Sequence, residues 1–169
     1  MEAERLVATG RHALAESRTA QDIVAEAWQT QALAQAIGSH LALCGPQELR
    51  GEARGLSEIG GGRGVVDHPV LRTGGLRAVQ LTAVGDARAA LTALGALLGE
   101  VGIALVGVAC ATDEEGLYWQ CIEAIDAADE AGDRVRAMLR RLTVRERERE
   151  RGRPPDPARD RAGPTLGPR

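Results

Sequence analysis

Few side chains in this 169-residue sequence carry soft-metal or nucleophilic chemistry. His40 and Cys44 stand four residues apart. On a helix that spacing puts both on one face and offers two zinc ligands. A closed site needs two more, and the further soft candidates are His68, Cys110 and Cys121. Cys110 and Cys121 are eleven residues apart, not a CxxC pair. The competing reading is a capping histidine beside a buried, apolar cysteine. Glu123, Asp126, Glu130 and Asp133 follow at spacings of three, four and three, one acidic line along a helix. A di-iron bundle would require Glu-x-x-His pairs facing the core, and the sequence has no Glu-x-x-His. The line is therefore expected to face water or to meet arginines of a neighbouring helix or partner. Residues 60–64 (Gly-Gly-Gly-Arg-Gly) lack the Gly-Lys-Ser/Thr ending of a phosphate-binding loop. Ser39 and His40 are adjacent, so on a helix they do not face each other and form no dyad. No catalytic set and no cofactor site emerges. The residues expected to meet a partner are Trp119, Glu123, Asp126, Glu130 and Asp133.

These residues have to be positioned by helices, because no segment alternates with the period of a strand. Residues 3–16 read as a first amphipathic helix. Thr19, with Asp22 three residues on, caps a second helix from about Ala20 to Leu43. Gly45-Pro46 stops it, the glycine being read as a left-handed cap. Residues 46–56 and about 75–84 read as short helices, with loop and turn signals between them at 60–64 and Asp67-His68-Pro69. Asp86 caps a helix from Ala87 to about Ala111, apolar on nearly every face and so expected at the centre of the fold. Thr112, with Glu115 three residues on, reads as the capping box of the last long helix. Cys121, Ile125, Ala128, Gly132, Val135, Leu139 and Leu142 give that helix a heptad stripe. The short join makes the last two helices an antiparallel pair. After Leu142 the apolar stripe ends in alternating Arg and Glu, then in Pro- and Gly-rich sequence.

The balance of residues narrows the class. One domain is expected, at roughly 100–200 residues each. A 44% apolar content excludes a wholly disordered chain, and three cysteines exclude a disulfide-dense scaffold. The net charge of −3 argues against a generic nucleic-acid binder. Lys, Asn and Phe are absent and all 21 cations are Arg. That pattern fits a high-GC gene and devalues any single arginine as a signature. The N-terminus is acidic and has no secretory pattern. Residues 89–111 are long enough to span a membrane, but Glu100 sits mid-span and Gly, Thr and Ala make the run shallow. With three aromatics in all, Trp28 and at least one of Tyr118 and Trp119 are expected in the core.

The run from Glu114 through Tyr118-Trp119-Gln120-Cys121 to Glu130 resembles a block in small uncharacterised proteins of high-GC actinomycetes. So do Ala25-Glu26-Ala27-Trp28-Gln29 and His68-Pro69-Val70-Leu71-Arg72. The resemblance covers about residues 1–142 and implies a compact helical domain of unknown function; it carries no catalytic residues with it.

The sequence thus predicts an all-α bundle of four main helices, with short extra helices in the 46–84 connection. The domain spans 1–142, and 143–169 is a charged, disordered tail. The expected function is that of a cytoplasmic, non-enzymatic protein acting through protein–protein contacts as a homodimer, with no nucleic acid, membrane or cofactor. The alternatives are a metal- or ligand-binding bundle using His40 and Cys44, or membrane association through 89–111.

Overall fold

Capping decides where the long helices begin. Thr19 Oγ1 accepts the Asp22 amide, and the Asp22 carboxylate accepts the Thr19 amide, both at 3.1 Å. This capping box holds the Asp22 carboxyl below its usual pKa. Asp86 Oδ1 accepts the amides of Arg88 and Ala89. In the computed structural model, residues 1–59 and 75–152 are described. They form α1 (Ala3–Glu16), α2 (Ala20–Cys44), a 3-10 turn (Gln47–Leu49) leading into α3 (Arg50–Glu58), and a second 3-10 turn (Arg77–Gln80). These are followed by α4 (Ala87–Ala111) and α5 (Glu115–Arg151). The all-α expectation holds, with four long helices, one short one and no strand among the described residues. The turn signals at 60–64 and at Asp67-His68-Pro69 lie outside the described residues, as does the tail from 153 onward.

Several local expectations are corrected. Residues 75–84 contain a single 3-10 turn and no α-helix. Gly45 ends α2 with φ −78°, so it is no left-handed cap; glycine is needed because a Cβ would run into the Leu41 carbonyl. Thr112 closes α4, and its hydroxyl accepts the Glu114 amide at 3.1 Å; α5 starts after Glu114 with no side-chain cap. The Arg–Glu run, whose i,i+3 pairs could prolong the last helix, does so: α5 continues unbroken through Arg151.

The central helix is α2, not α4. Residues 27–34 of α2 are all buried, so these two turns of helix are surrounded on every side. α1, α4 and α5 pack around it, and α3 fills the remaining side against α2 and α5. Gly38 permits the α2–α3 approach, because a Cβ there would lie 2.8 Å from the Ala53 carbonyl oxygen and 2.9 Å from the Ser57 nitrogen. α4 and α5 pack antiparallel: Gly95 abuts Val135, while Arg88 reaches Glu146 at the far end with N–O distances of 3.1 and 2.9 Å. The fully buried line on α5 is Leu117, Cys121, Ala124, Ala128, Ala131, Val135, Met138 and Leu142. Gly132 is buried with them, so five of the seven predicted heptad positions lie in the core; Ile125 and Leu139 pack only partly against it, and Ala124, Ala131 and Met138 complete the buried face. α1, α2 and α5 all lie to one side of α4, and no described element covers its outer side.

Candidate functional site

The ends of the undescribed connection are fixed on one stretch of α2. Gln31 and Gln35 donate from their side-chain amides to the Ile59 carbonyl. Gln29 donates to the Gly75 carbonyl at 2.8 Å and accepts the Arg77 amide at 3.1 Å. Arg77 also forms a bidentate, half-buried ion pair with Glu26. This row of amides explains how Gln29 and Gln31 are buried within a helix centre. Their role is to anchor the chain.

Most of the remaining arginine pairs tie one element to another. Glu52 of α3 accepts from Arg134 at 3.2 Å and from Arg141 at 3.0 Å. The hydrogen bond from Arg134, ahead of that from Arg141, holds its carboxyl below the usual range against the opposing effect of burial. Arg145 pairs with Glu48, and Arg11 of α1 with Glu100 of α4. The cleft of about 620 Å³ between α3 and the end of α5 is lined by these same groups, Glu48, Glu52, Arg141 and Arg145 among them. With the charges matched inside the cleft, its geometry is that of a helix–helix clamp.

The residues singled out by sequence are dispersed. His40 is half-buried and Cys44 exposed at the end of α2. Among the described residues no group of three or more His, Cys, Asp and Glu comes together; His68 lies outside them. Cys110 is exposed, whereas Cys121 is buried, and burial pushes its thiol pKa up, which makes it unreactive. Glu123, Asp126, Glu130 and Asp133 are exposed along α5. Asp133 pairs with Arg136 one turn on, at 2.5 Å. Trp28 is buried at 8% exposure, as expected. Trp119 and Tyr118 are 56% and 40% exposed, and pack edge-to-face on each other with centroids 5.4 Å apart. The expectation that one of them enters the core is corrected: Leu117 and Cys121 occupy the inward positions of that turn.

The outer side of α4 was not foreseen. Its most apolar 18-residue window has a mean hydropathy of 2.0, yet only 33% of that window is buried. By length and composition it is the one described helix able to cross a membrane. Ala96, Gly99, Ile103, Val106 and Cys110 are exposed in a line, with Thr92 ahead of them. Ile103 is 77% and Val106 48% exposed. Beside this line runs a groove of about 350 Å³, walled by Gly95, Gly99 and Gly102 of α4 and by Ile125, Asp129 and Arg136 of α5. Tyr118 stands seven residues before Ile125, which puts it on the same α5 stripe. The one sequence signal for this face was the uniform hydrophobicity of 87–111, which looks the same for a helix buried on all sides.

Fold and surface define a small helical protein held by interhelical arginine pairs and bearing an apolar helix face that no described element covers. A family of unknown function (DUF6099) matches residues 1–141, and the chain belongs to it. No curated protein and no solved structure matches the chain.

Proposed function

We propose that this protein acts by protein–protein contact and not by catalysis, as a homodimer formed through the outer face of α4. The observation that carries the reading is the combination of exposed large side chains with glycines that the protomer does not need. Ile103 and Val106 project outward from the side of the helix opposite its buried residues Leu91, Leu94, Leu98, Val101 and Leu105. A Cβ at Gly99, Gly102 or Gly107 would meet nothing within 4 Å. Each mid-helix glycine costs about 0.5–1 kcal/mol relative to alanine. A second helix laid on this face would use the space they leave.

The chemistry of the rim favours protein over lipid. Glu100 with Arg11 borders the face on one side, and Asp129 with Arg136 on the other. The acidic line from Glu123 to Asp133 follows on the next stripe of α5, where it would repel an anionic headgroup layer. An apolar centre with a mixed-charge rim is the usual anatomy of a protein interface. In this reading Tyr118, on the Ile125 stripe, is an aromatic anchor, and Trp119 with the acidic line that follows it is rim. A cytoplasmic location and a high-GC actinobacterial source complete the proposal; the absence of Lys, Asn and Phe supports the source.

Light scattering on the intact chain across a concentration series tests it. The mass is expected to rise from 17.8 kDa toward twice that value. Ile103→Glu, which puts a charge on the exposed face without touching the core, should hold it at the monomer value with unchanged helicity. A wild-type monomer at every concentration would refute the reading, as would a variant that dimerises equally well.

A further inference from the structure

We infer that the two copies pair through α4 as an antiparallel twofold, an arrangement that rests on the dimer reading above. The spacing and size of the exposed residues on α4 favour it. Thr92, Ala96, Gly99, Ile103, Val106 and Cys110 are separated by four, three, four, three and four. Ala89, three residues earlier, is exposed as well, so the stripe is a regular alternation of three and four, and a twofold axis at residue 101 pairs its layers from Thr92 to Cys110. An antiparallel pair with its axis at that point sets Gly99 against the partner's Ile103. It also sets Ala96 against the partner's Val106 and Thr92 against the partner's Cys110. Each larger apolar side chain near the axis thus faces a small one. In heptad terms every layer joins an a position to a d position, as antiparallel coiled coils require, and the alternation of four and three supports a shallow crossing of about 20°.

Parallel pairing of the same stripe does the opposite. It sets Ile103 against the partner's Ile103 and Gly99 against the partner's Gly99, a crowded layer next to a void. Voids and overpacked layers are both costly, so the distribution of sizes along the stripe selects the antiparallel form.

The extent of the face sets the strength. Residues 92–110 span about 27 Å at 1.5 Å per residue, and a helix is about 10–12 Å wide. The strip from α4 alone is therefore on the order of 300 Å² on each copy. A stable interface needs about 1,000 Å² in total, more than the two strips supply. The rest has to come from the groove wall of α5, where Tyr118, Ile125 and Arg136 flank the strip. The twofold keeps both α5 helices on the same side of the α4 pair, so these walls add to one continuous surface. The result is a modest, reversible dimer that dissociates on dilution.

Cys110 makes the arrangement measurable. Antiparallel pairing holds the two Cys110 residues about 27 Å apart along the helices, far beyond the reach of a disulfide. Parallel pairing brings them together. In full-length protein carrying Cys44→Ser, which removes the other exposed thiol, mild oxidation with diamide should leave no covalent dimer. Adding Thr92→Cys should convert most chains to a covalent dimer on a non-reducing gel, with the two electrons passing to diamide. Ala96→Cys with Val106→Cys should do the same and guards against a local effect at Thr92. Covalent dimer from Cys110 alone would overturn the register in favour of parallel pairing. Dimeric protein by light scattering with no cross-link in either variant would overturn the register and leave the contact face standing. Monomeric protein by light scattering would remove both.

Discussion

Gly99 and Gly102 lie in the middle of a 25-residue helix, where glycine is the poorest residue after proline. Alanine at each should gain about 1 kcal/mol of helix propensity. No heavy atom lies within 4 Å of either added Cβ, so no steric term opposes the gain. The double variant Gly99→Ala/Gly102→Ala should therefore stabilise the isolated protomer by about 1–2 kcal/mol. For a chain of this size that is a rise of roughly 2–4 °C in Tm per kcal/mol. Urea unfolding at low protein concentration, followed by circular dichroism, measures it. Gly38→Ala is the internal control. It makes the same propensity gain, but its Cβ would sit 2.8 Å from the Ala53 carbonyl oxygen, so α2 and α3 must separate and stability should fall by about 1–3 kcal/mol. Concentration adds a second dimension. Wild-type stability should rise with concentration, because dimerisation draws on the folded state. The double alanine variant should show a smaller rise, since the methyl group added by Gly99→Ala would push against the partner's Ile103. If the double variant is destabilised at low concentration, those glycines are needed inside the protomer and the case for an outside contact collapses.

Two further outcomes follow from the packing. Glu52→Gln should cost about 1–2 kcal/mol at pH 7, because it weakens the charge-assisted bonds from Arg134 and Arg141, both of which are substantially exposed and partly screened. The folded pKa of Glu52 is depressed, so its contribution is complete above the ordinary value of 4.5 and is lost as pH falls through the folded value; wild type and variant should converge in acid unfolding curves. Trp28→Ala should destabilise by about 3–5 kcal/mol, as large core truncations do, while Trp119→Phe should leave stability nearly unchanged and remove the fluorescence component most accessible to iodide.

Helix boundaries were legible where a cap announces them locally. Thr19 with Asp22, Asp86, and the Gly45-Pro46 stop place the ends of α2 and the start of α4 within a residue. What sequence reasoning missed depends on partners far along the chain. The charge alternation in 145–151 was legible as a possible helical extension, but not its long-range pairs, Arg145 with Glu48 and Glu146 with Arg88. The heptad on α5 was legible at Cys121, Ala128, Gly132, Val135 and Leu142, while Ile125 and Leu139 lie at the edge of the core because the buried face is centred nearer Ala124, Ala131 and Met138. The aromatic expectation failed for a related reason. The core is closed with Leu, Ala and Val, and Leu117 and Cys121 already fill the inward positions beside Trp119. The outer face of α4 was invisible because hydrophobicity fixes a preference for burial but not the number of neighbours available to supply it. The paired His40 and Cys44 were legible as a helical i,i+4 pair, and the described residues bring no third soft ligand to them.

Alkylation of the exposed thiols tests the central claim most directly. Cys110 lies on the α4 face and Cys44 at the end of α2, and both are exposed in the protomer. As protein concentration rises through the dimerisation range, the rate of iodoacetamide modification at Cys110, read by mass spectrometry of its peptide, should fall while that at Cys44 stays constant. Equal, concentration-independent rates at both cysteines would contradict the account.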